Sequence, residues 1–98
     1  MRTMLRIHMP VEHSNKAVKD GSLAKLMGKM LEQLKPEAAY FFPDDGMRSA
    51  LFVFDLKDPS QIPVIAEQFF EVLHAEISMT PVMNADDLKA GLEKVMKS

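Results

Sequence analysis

The chain has 98 residues, 47% of them hydrophobic and 27% charged, which is the composition of an ordinary globular protein. Its size predicts one domain spanning residues 1–98. A formal net charge of −2 argues against a nucleic-acid-binding surface, and the absence of cysteine excludes disulfides and thiolate metal sites. No window holds the roughly 20 apolar residues of a membrane span, and the charged N-terminal run does not fit a signal peptide. We expect a cytoplasmic protein that binds neither nucleic acid nor membrane.

The first element is a strand with two different sides. Alternate residues of Thr3–Met9 fall on an apolar side and on a mixed side: Leu5, Ile7 and Met9, then Met4, Arg6 and His8. This period of two is typical of a strand with one buried face. Pro10 ends the strand because proline has no backbone N–H to donate.

A helix follows the strand. Its apolar residues have the i, i+3, i+4, i+7 spacing of a helix that packs on a core: Leu23, Leu26, Met27, Met30, Leu31 and Leu34. We expect Ser14 or Asn15 to cap its start. Gly21-Ser22 either bends this helix or separates a loop from a helix capped at Ser22. Pro36 stops it, because the residue before a proline is biased away from helical backbone.

The stretch Ala38–Leu56 predicts a β-hairpin. Pro43-Asp44-Asp45-Gly46 is rich in turn-forming residues and lies between two runs of aromatic and branched residues. A loop of these four residues would pair Phe42 with Met47. Alternate residues then separate onto two faces: Phe41, Ala50, Phe52 and Phe54 on one, and Tyr40, Phe42, Ser49, Leu51, Val53 and Asp55 on the other. A loop one residue shorter would turn one strand over relative to its partner.

The second half of the chain predicts a helix, a strand and a final helix. Asp58 is the expected cap of the first of these helices, with Pro59 at its first position. Its apolar stripe is Ile62, Ile65, Ala66, Phe69, Val72 and Leu73. Glu76–Val82 alternates and predicts the fourth strand. Asn84 is the expected cap of the last helix, which has a narrow apolar stripe: Leu88, Leu92, Val95 and Met96.

The predicted order is β-α-β-β-α-β with an appended C-terminal helix, an α+β, ferredoxin-like arrangement of a four-stranded antiparallel sheet with helices on one face. The side of the sheet that faces the helices, here called the helix-facing side, should carry Leu5, Ile7, Met9, Phe41, Phe52, Phe54, Ile77 and Met79. The opposite side, here called the open face, should carry Met4, Arg6, His8, Tyr40, Phe42, Leu51, Val53, Asp55, Glu76, Ser78 and Thr80.

The open face mixes large apolar residues with a few polar ones. The last helix could cover part of it, and no other helix is available. Because a contiguous apolar patch is rarely left in water on a soluble monomer, we predict a homodimer that packs through the open face.

This element order, with a half-apolar open face, resembles the dimeric α+β barrel superfamily. Its members include muconolactone isomerase and cofactor-independent quinol monooxygenases. The resemblance covers nearly the whole chain and rests on element order, not on a motif. It implies a dimer with a pocket between sheet and helices in each protomer, or between the two sheets. No catalytic residue is carried over from it.

The open face also holds the candidate catalytic residues. A half-buried His8 could act as a base while Arg6 and Tyr40 hold an oxygen that gains charge. In the structural alternative, Arg6 pairs with Glu76 or Asp55 across the sheet. His8 then only bonds a neighbour. The candidate ligand-binding residues lie on the same face: Phe42, Leu51, Val53, Glu76 and Ser78.

Neither a cofactor nor a metal site is predicted. His8 and His13 lie on either side of Pro10, and we expect His13 in a solvated loop, so their spacing is not that of a structural metal site. Gly21 and Gly28 are isolated, so no glycine-rich phosphate loop is present.

The leading functional hypothesis is a small-molecule-binding dimer that takes a hydrophobic or aromatic ligand at the sheet face. In its catalytic form it is a cofactor-independent isomerase or monooxygenase. The alternative is a non-catalytic interaction or regulatory module that uses the open face to dimerise or to receive a partner. Convergence of His8, Arg6 and Tyr40 on one cavity would favour the first, and pairing of these groups with other side chains would favour the second.

Overall fold

The computed structural model describes residues 1–98 and contains four strands and four helices. In chain order they are β1 (Arg2–Met9), α1 (Val11–Asp20), α2 (Ser22–Leu34), β2 (Ala38–Asp44), β3 (Met47–Asp55), α3 (Gln61–Leu73), β4 (Glu76–Pro81) and α4 (Ala85–Lys97). The strands form one sheet in the order β2-β3-β1-β4, with every neighbouring pair antiparallel. This α+β arrangement is compatible with a ferredoxin-like fold.

One core lies between the helix-facing side of the sheet and helices α1–α3. The strands contribute Leu5, Ile7, Phe52 and Phe54 to it, each at most 2% exposed. The helices contribute Ala17 of α1 and the centres of the two predicted stripes: Leu26, Met27, Met30, Ile65, Phe69 and Leu73. Phe41 packs edge-on against Phe52 but stays 53% exposed, because β2 is an edge strand. The predicted helix-facing side is therefore fully buried only at its centre.

The hairpin turn is tighter than the four-residue loop that we expected. Only Asp45 and Gly46 form the loop, both with positive φ (54° and 75°), and Phe42 pairs with Ser49 instead of Met47. Glycine and aspartate both tolerate this left-handed backbone, which suits a two-residue hairpin. The predicted register is wrong by two residues. Because two is the period of a strand, the predicted faces are unchanged.

Two helix starts also differ from the prediction. Helix α1 begins at Val11, directly after Pro10, so Ser14 lies inside the helix and does not cap it. Helix α3 begins at Gln61, and Asp58 instead caps the preceding turn, where its carboxylate accepts the Ser60 N–H at 2.8 Å. The observed cap positions are Pro10, at least four residues before the predicted cap of α1, and Ser60, two residues after the predicted cap of α3, because proline and an Asx turn redirect the chain there.

Gly21 separates α1 from α2. Its φ of +83° lies in the left-handed region, where a side chain would be strained, so the first helix ends there and a second begins at once. The sequence predicted either a bent helix or a loop followed by a helix here. The chain instead has two helices joined by one residue. Ser22 is the first residue of α2, and its side chain makes no capping bond.

Helix α4 begins as predicted and packs differently. The Asn84 side chain accepts the Asp87 N–H at 2.8 Å, and the Asp87 carboxylate accepts the Asn84 N–H at 3.1 Å, a reciprocal cap. No residue of α4 is buried, and its apolar stripe is 48–86% exposed: Leu88, Leu92, Val95 and Met96. The helix therefore leaves the open face of its own chain uncovered. No helix of the chain is long and apolar enough to cross a bilayer.

Candidate functional site

The sheet register fixes the neighbours of the predicted catalytic residues on the open face. Arg6 lies between Ser78 of β4 and Leu51 of β3, and His8 lies between Glu76 and Ser49. Side chains directly opposite on adjacent strands are close enough to interact. The strands thus bring Arg6 and His8 together with three of the predicted ligand-binding residues, Leu51, Glu76 and Ser78.

Asp44 is the centre of the polar cluster on this face. His8 Nε2 lies 2.9 Å from Asp44 Oδ2, and Arg6 Nη2 lies 3.7 Å from the same oxygen. The predicted pairing of Arg6 with Glu76 or Asp55 is wrong, because the two-residue turn extends β2 to Asp44 and places its carboxylate beside β1. Sequence reasoning missed Asp44 because it counted this residue as part of the loop.

A depression of about 300 Å³, here called the open-face depression, lies beside this cluster. It is lined by Arg6, His8, Asp45, Met47, Glu76, Ile77 and Ser78. Tyr40 does not line it. Its side chain is 63% exposed and its hydroxyl has no hydrogen-bond partner in the chain. Phe42, Leu51 and Val53 also lie outside the depression, so the predicted catalytic and ligand-binding residues share a face without forming one cavity.

A larger cavity lies at the hairpin end of the sheet, between the hairpin and the α1–α2 pair, and residues of both faces reach it. Its volume is about 610 Å³, and we call it the apolar cavity. It is lined by Met9, Val11, Leu23, Met27, Phe41, Phe42, Pro43, Gly46, Met47, Arg48 and Ser49. Of the predicted ligand-binding residues, only Phe42 is among them. The sequence could have predicted this cavity, because the aromatic residues at the end of the hairpin lie next to a helix whose apolar stripe begins at Leu23.

Arg48 is the one charged residue that lines the apolar cavity. Its Nη1 donates to the Ser14 hydroxyl at 2.7 Å and to Asn15 Oδ1 at 3.0 Å, which ties strand β3 to helix α1. Ser14 is fully buried, and its hydroxyl in turn donates to the Val11 carbonyl at 3.3 Å. These bonds hold the guanidinium in place at the edge of the cavity.

The histidine that we expected in a loop lies in α1. His13 stacks on His74, with ring centroids 3.6 Å apart, and its Nε2 lies 3.0 Å from the Val72 carbonyl oxygen. Two parallel rings in contact cannot both direct a nitrogen at one ion between them. No three His, Asp or Glu side chains come close enough to share a metal ion.

No protein-family model and no curated protein sequence matches this chain.

Proposed function

We propose that this protein is a homodimeric small-molecule-binding protein. Each protomer binds an apolar or aromatic molecule in the apolar cavity, and the two protomers pack through their open faces. The observation that carries the proposal is the apolar cavity itself. This assignment keeps the class of ligand predicted from the sequence and moves its site from the open face to the cavity between the hairpin and helices α1 and α2.

The volume and lining of the apolar cavity support a ligand of modest size. At about 610 Å³ it lies within the range of about 300–1,000 Å³ that is usual for small-molecule sites. Phe41 and Phe42 offer aromatic surface, and Met9 and Met27 offer flexible side chains that adapt to the shape of a ligand. An apolar body with a few polar anchor groups around it is the usual composition of such sites.

The open face supports dimerisation. Leu51 and Val53 lie half-buried in the middle of the sheet with no helix of their own chain above them, beside an exposed Tyr40. Packing two such sheets together would remove this surface from water, which is the main favourable contribution to association. A sheet-to-sheet dimer is also what the resemblance to the dimeric α+β barrel proteins implies.

The ligand proposal is tested by filling the apolar cavity. We expect the neutral fluorescent probe Nile red to bind the parent protein, and Leu23→Trp to abolish binding because the indole occupies the cavity. Leu31→Trp is the matched control: Leu31 lies on the same helix, is 39% exposed and does not line the cavity. Equal binding to both variants, or no binding to the parent, would contradict the proposal.

The dimer proposal is tested by light scattering on a dilution series. We expect the parent to have twice the mass of one chain, and Leu51→Arg to be a folded monomer because it places a charge in the middle of the interface. Val64→Arg is the control, since Val64 is an apolar residue of α3, 63% exposed and remote from the open face. A monomeric parent would overturn this part of the proposal.

A non-catalytic interaction module is the second candidate. It is favoured by the contacts of Arg6 and His8, which both engage Asp44 within the chain. A stable dimer that binds no probe in the apolar cavity would support this candidate over the first.

A catalytic alternative to the proposal is a cofactor-independent isomerase or monooxygenase that takes its substrate in the open-face depression, with His8 as the base. Asp44 would orient the imidazole, and Arg6 would stabilise a developing negative charge. Its test is turnover by His8→Gln against the parent. A substrate consumed equally fast by both proteins would exclude His8 as the base.

A further inference from the structure

Arg48 differs from the other two arginines of the chain in having no acidic partner. Arg2 contacts Glu37 and Asp87, and Arg6 contacts Asp44. No ion pair in the molecule includes Arg48, whose partners Ser14 and Asn15 are both neutral. Its guanidinium therefore has no carboxylate of this chain within ion-pair distance, at a position where the surrounding cavity is mostly apolar.

The hydrogen bonds of Arg48 leave one edge of its guanidinium free. Both side-chain bonds of Arg48 come from Nη1, whose two N–H groups go to Ser14 and Asn15. The three N–H groups on Nε and Nη2 have no partner in the chain. Two parallel N–H groups from such an edge match the two oxygens of a carboxylate, which makes a bidentate pair stronger than neutral hydrogen bonds.

We infer that the ligand of the apolar cavity is an organic acid, with an apolar or aromatic body in the cavity and a carboxylate on Arg48. The inference rests on the proposed function of the cavity and adds the charge of its ligand. Ser14 and Asn15 hold Nη1 in advance, so little conformational freedom is lost when the acid binds. A neutral ligand of the same shape would leave the free edge of Arg48 to water.

The test compares acids with neutral molecules of the same body. Isothermal titration calorimetry measures binding of 2-naphthoate against 2-naphthalenemethanol, and of octanoate against octanol. We expect at least one acid to bind the parent about 10- to 100-fold more tightly than its matched alcohol, the range for a hydrogen-bonded pair to a charged group. This comparison uses only the parent protein, so it does not depend on any variant folding.

Two arginine variants then test whether the preference for the acid comes from Arg48. Arg48→Met keeps an unbranched side chain and removes the charge, so it should lose most of the preference for the acid and retain binding of the alcohol within about threefold. Arg2→Met removes a cation that does not line the apolar cavity and should change neither affinity. A urea titration of each variant checks that the fold is intact.

The outcomes separate the inference from the proposed function. If acid and alcohol bind the parent equally, the inference is wrong and the proposed function stands. If Arg2→Met lowers acid binding as much as Arg48→Met does, the preference comes from general charge and the inference is again wrong. If none of the four molecules binds, the inference fails, and the Nile red experiment decides separately whether the cavity accepts neutral ligands.

Discussion

Neighbouring residues along β3 meet two different environments. Phe52 and Phe54 point to the helix-facing side and are at most 2% exposed, whereas Leu51 and Val53 point to the open face and remain partly exposed. All four are apolar and lie in one central strand. The difference therefore comes from what covers each face: helices α1–α3 on one side and nothing from this chain on the other.

The arginines of the two faces differ in whether they have an acidic partner within the chain. On the open face, the cation Arg6 has its carboxylate, Asp44, within the same chain. On the helix-facing side, Arg48 lies at the end of the core with only neutral partners. A face that completes its own ion pairs is suited to packing against a second copy. A cavity with an unbalanced charge is suited to an exchangeable ligand.

The largest expected effect comes from putting the same charge on each face. Phe52→Asp should abolish folding, because it buries a carboxylate without a partner among the core helices. Leu51→Asp, one residue away, should leave a folded chain because its side chain reaches the open face. Circular dichroism and thermal melting measure both. A folded, fully stable Phe52→Asp variant would mean that the faces of the hairpin have been assigned the wrong way round.

A smaller effect is expected from the ion pairs of the open face. Asp44→Asn should lower the free energy of unfolding by up to about 1 kcal/mol, since exposed or half-exposed ion pairs contribute little. Glu76→Gln removes a carboxylate from the same depression that has no bonding partner, and should change stability less. Urea unfolding at neutral pH measures both. A larger loss in Glu76→Gln would show that Asp44 is not the centre of the cluster.

Asp55, at the far end of the open-face residues of β3, should make stability depend on pH. Its hydrogen bonds to Lys57 and then to the terminal ammonium lower the pKa of its carboxyl from 3.8 to about 2. A lowered folded-state pKa stabilises the fold above pH 3.8, and this contribution disappears as the pH falls towards 2. Asp55→Asn should therefore have a lower urea midpoint than the parent at pH 7, and the two midpoints should converge as the pH approaches 2. A constant difference across this range would contradict the assignment.

The smallest effect is expected from α4, which belongs to neither face. Removing residues 85–98 should change the free energy of unfolding by less than about 0.5 kcal/mol, as for changes at surface positions that bury nothing. The helix contributes no buried residue, and its contact with the body is the exposed pair between Arg2 and Asp87. A large loss in urea stability, measured at a concentration where the parent is monomeric, would contradict the exposure of the helix.

Most of the fold could be predicted from the sequence because strong periodic patterns survive small local errors. The alternation Leu5, Ile7, Met9 and the stripe from Leu26 to Met30 describe the core correctly. The register of the hairpin was wrong by two residues and still gave the right faces. Helix starts were less predictable. Ser14 and Asp58 are residue types that often cap helices, but the two helices begin after Pro10 and after the turn that contains Pro59.

The candidate site was harder to predict because it depends on contacts between distant residues. Asp44 reaches His8 only when the turn contracts to two residues, which composition alone does not decide. Arg48 carried a signal that could have been read: it continues the alternation of Ala50, Phe52 and Phe54 and is therefore a charge on the helix-facing side. What the sequence could not supply was the pair of α1 residues, Ser14 and Asn15, that hold it.

The two prolines in the outer strands affect how chains of this protein can assemble. Pro43 lies in β2 and Pro81 ends β4, and these are the two edges of the sheet. Neither residue can donate a backbone hydrogen bond to an incoming strand. Pairing of edge strands from different chains, the route to fibrils, is therefore opposed, even though Tyr40 and Phe41 are exposed in β2. Association through a face has a natural end at two chains, whereas association through an edge has none.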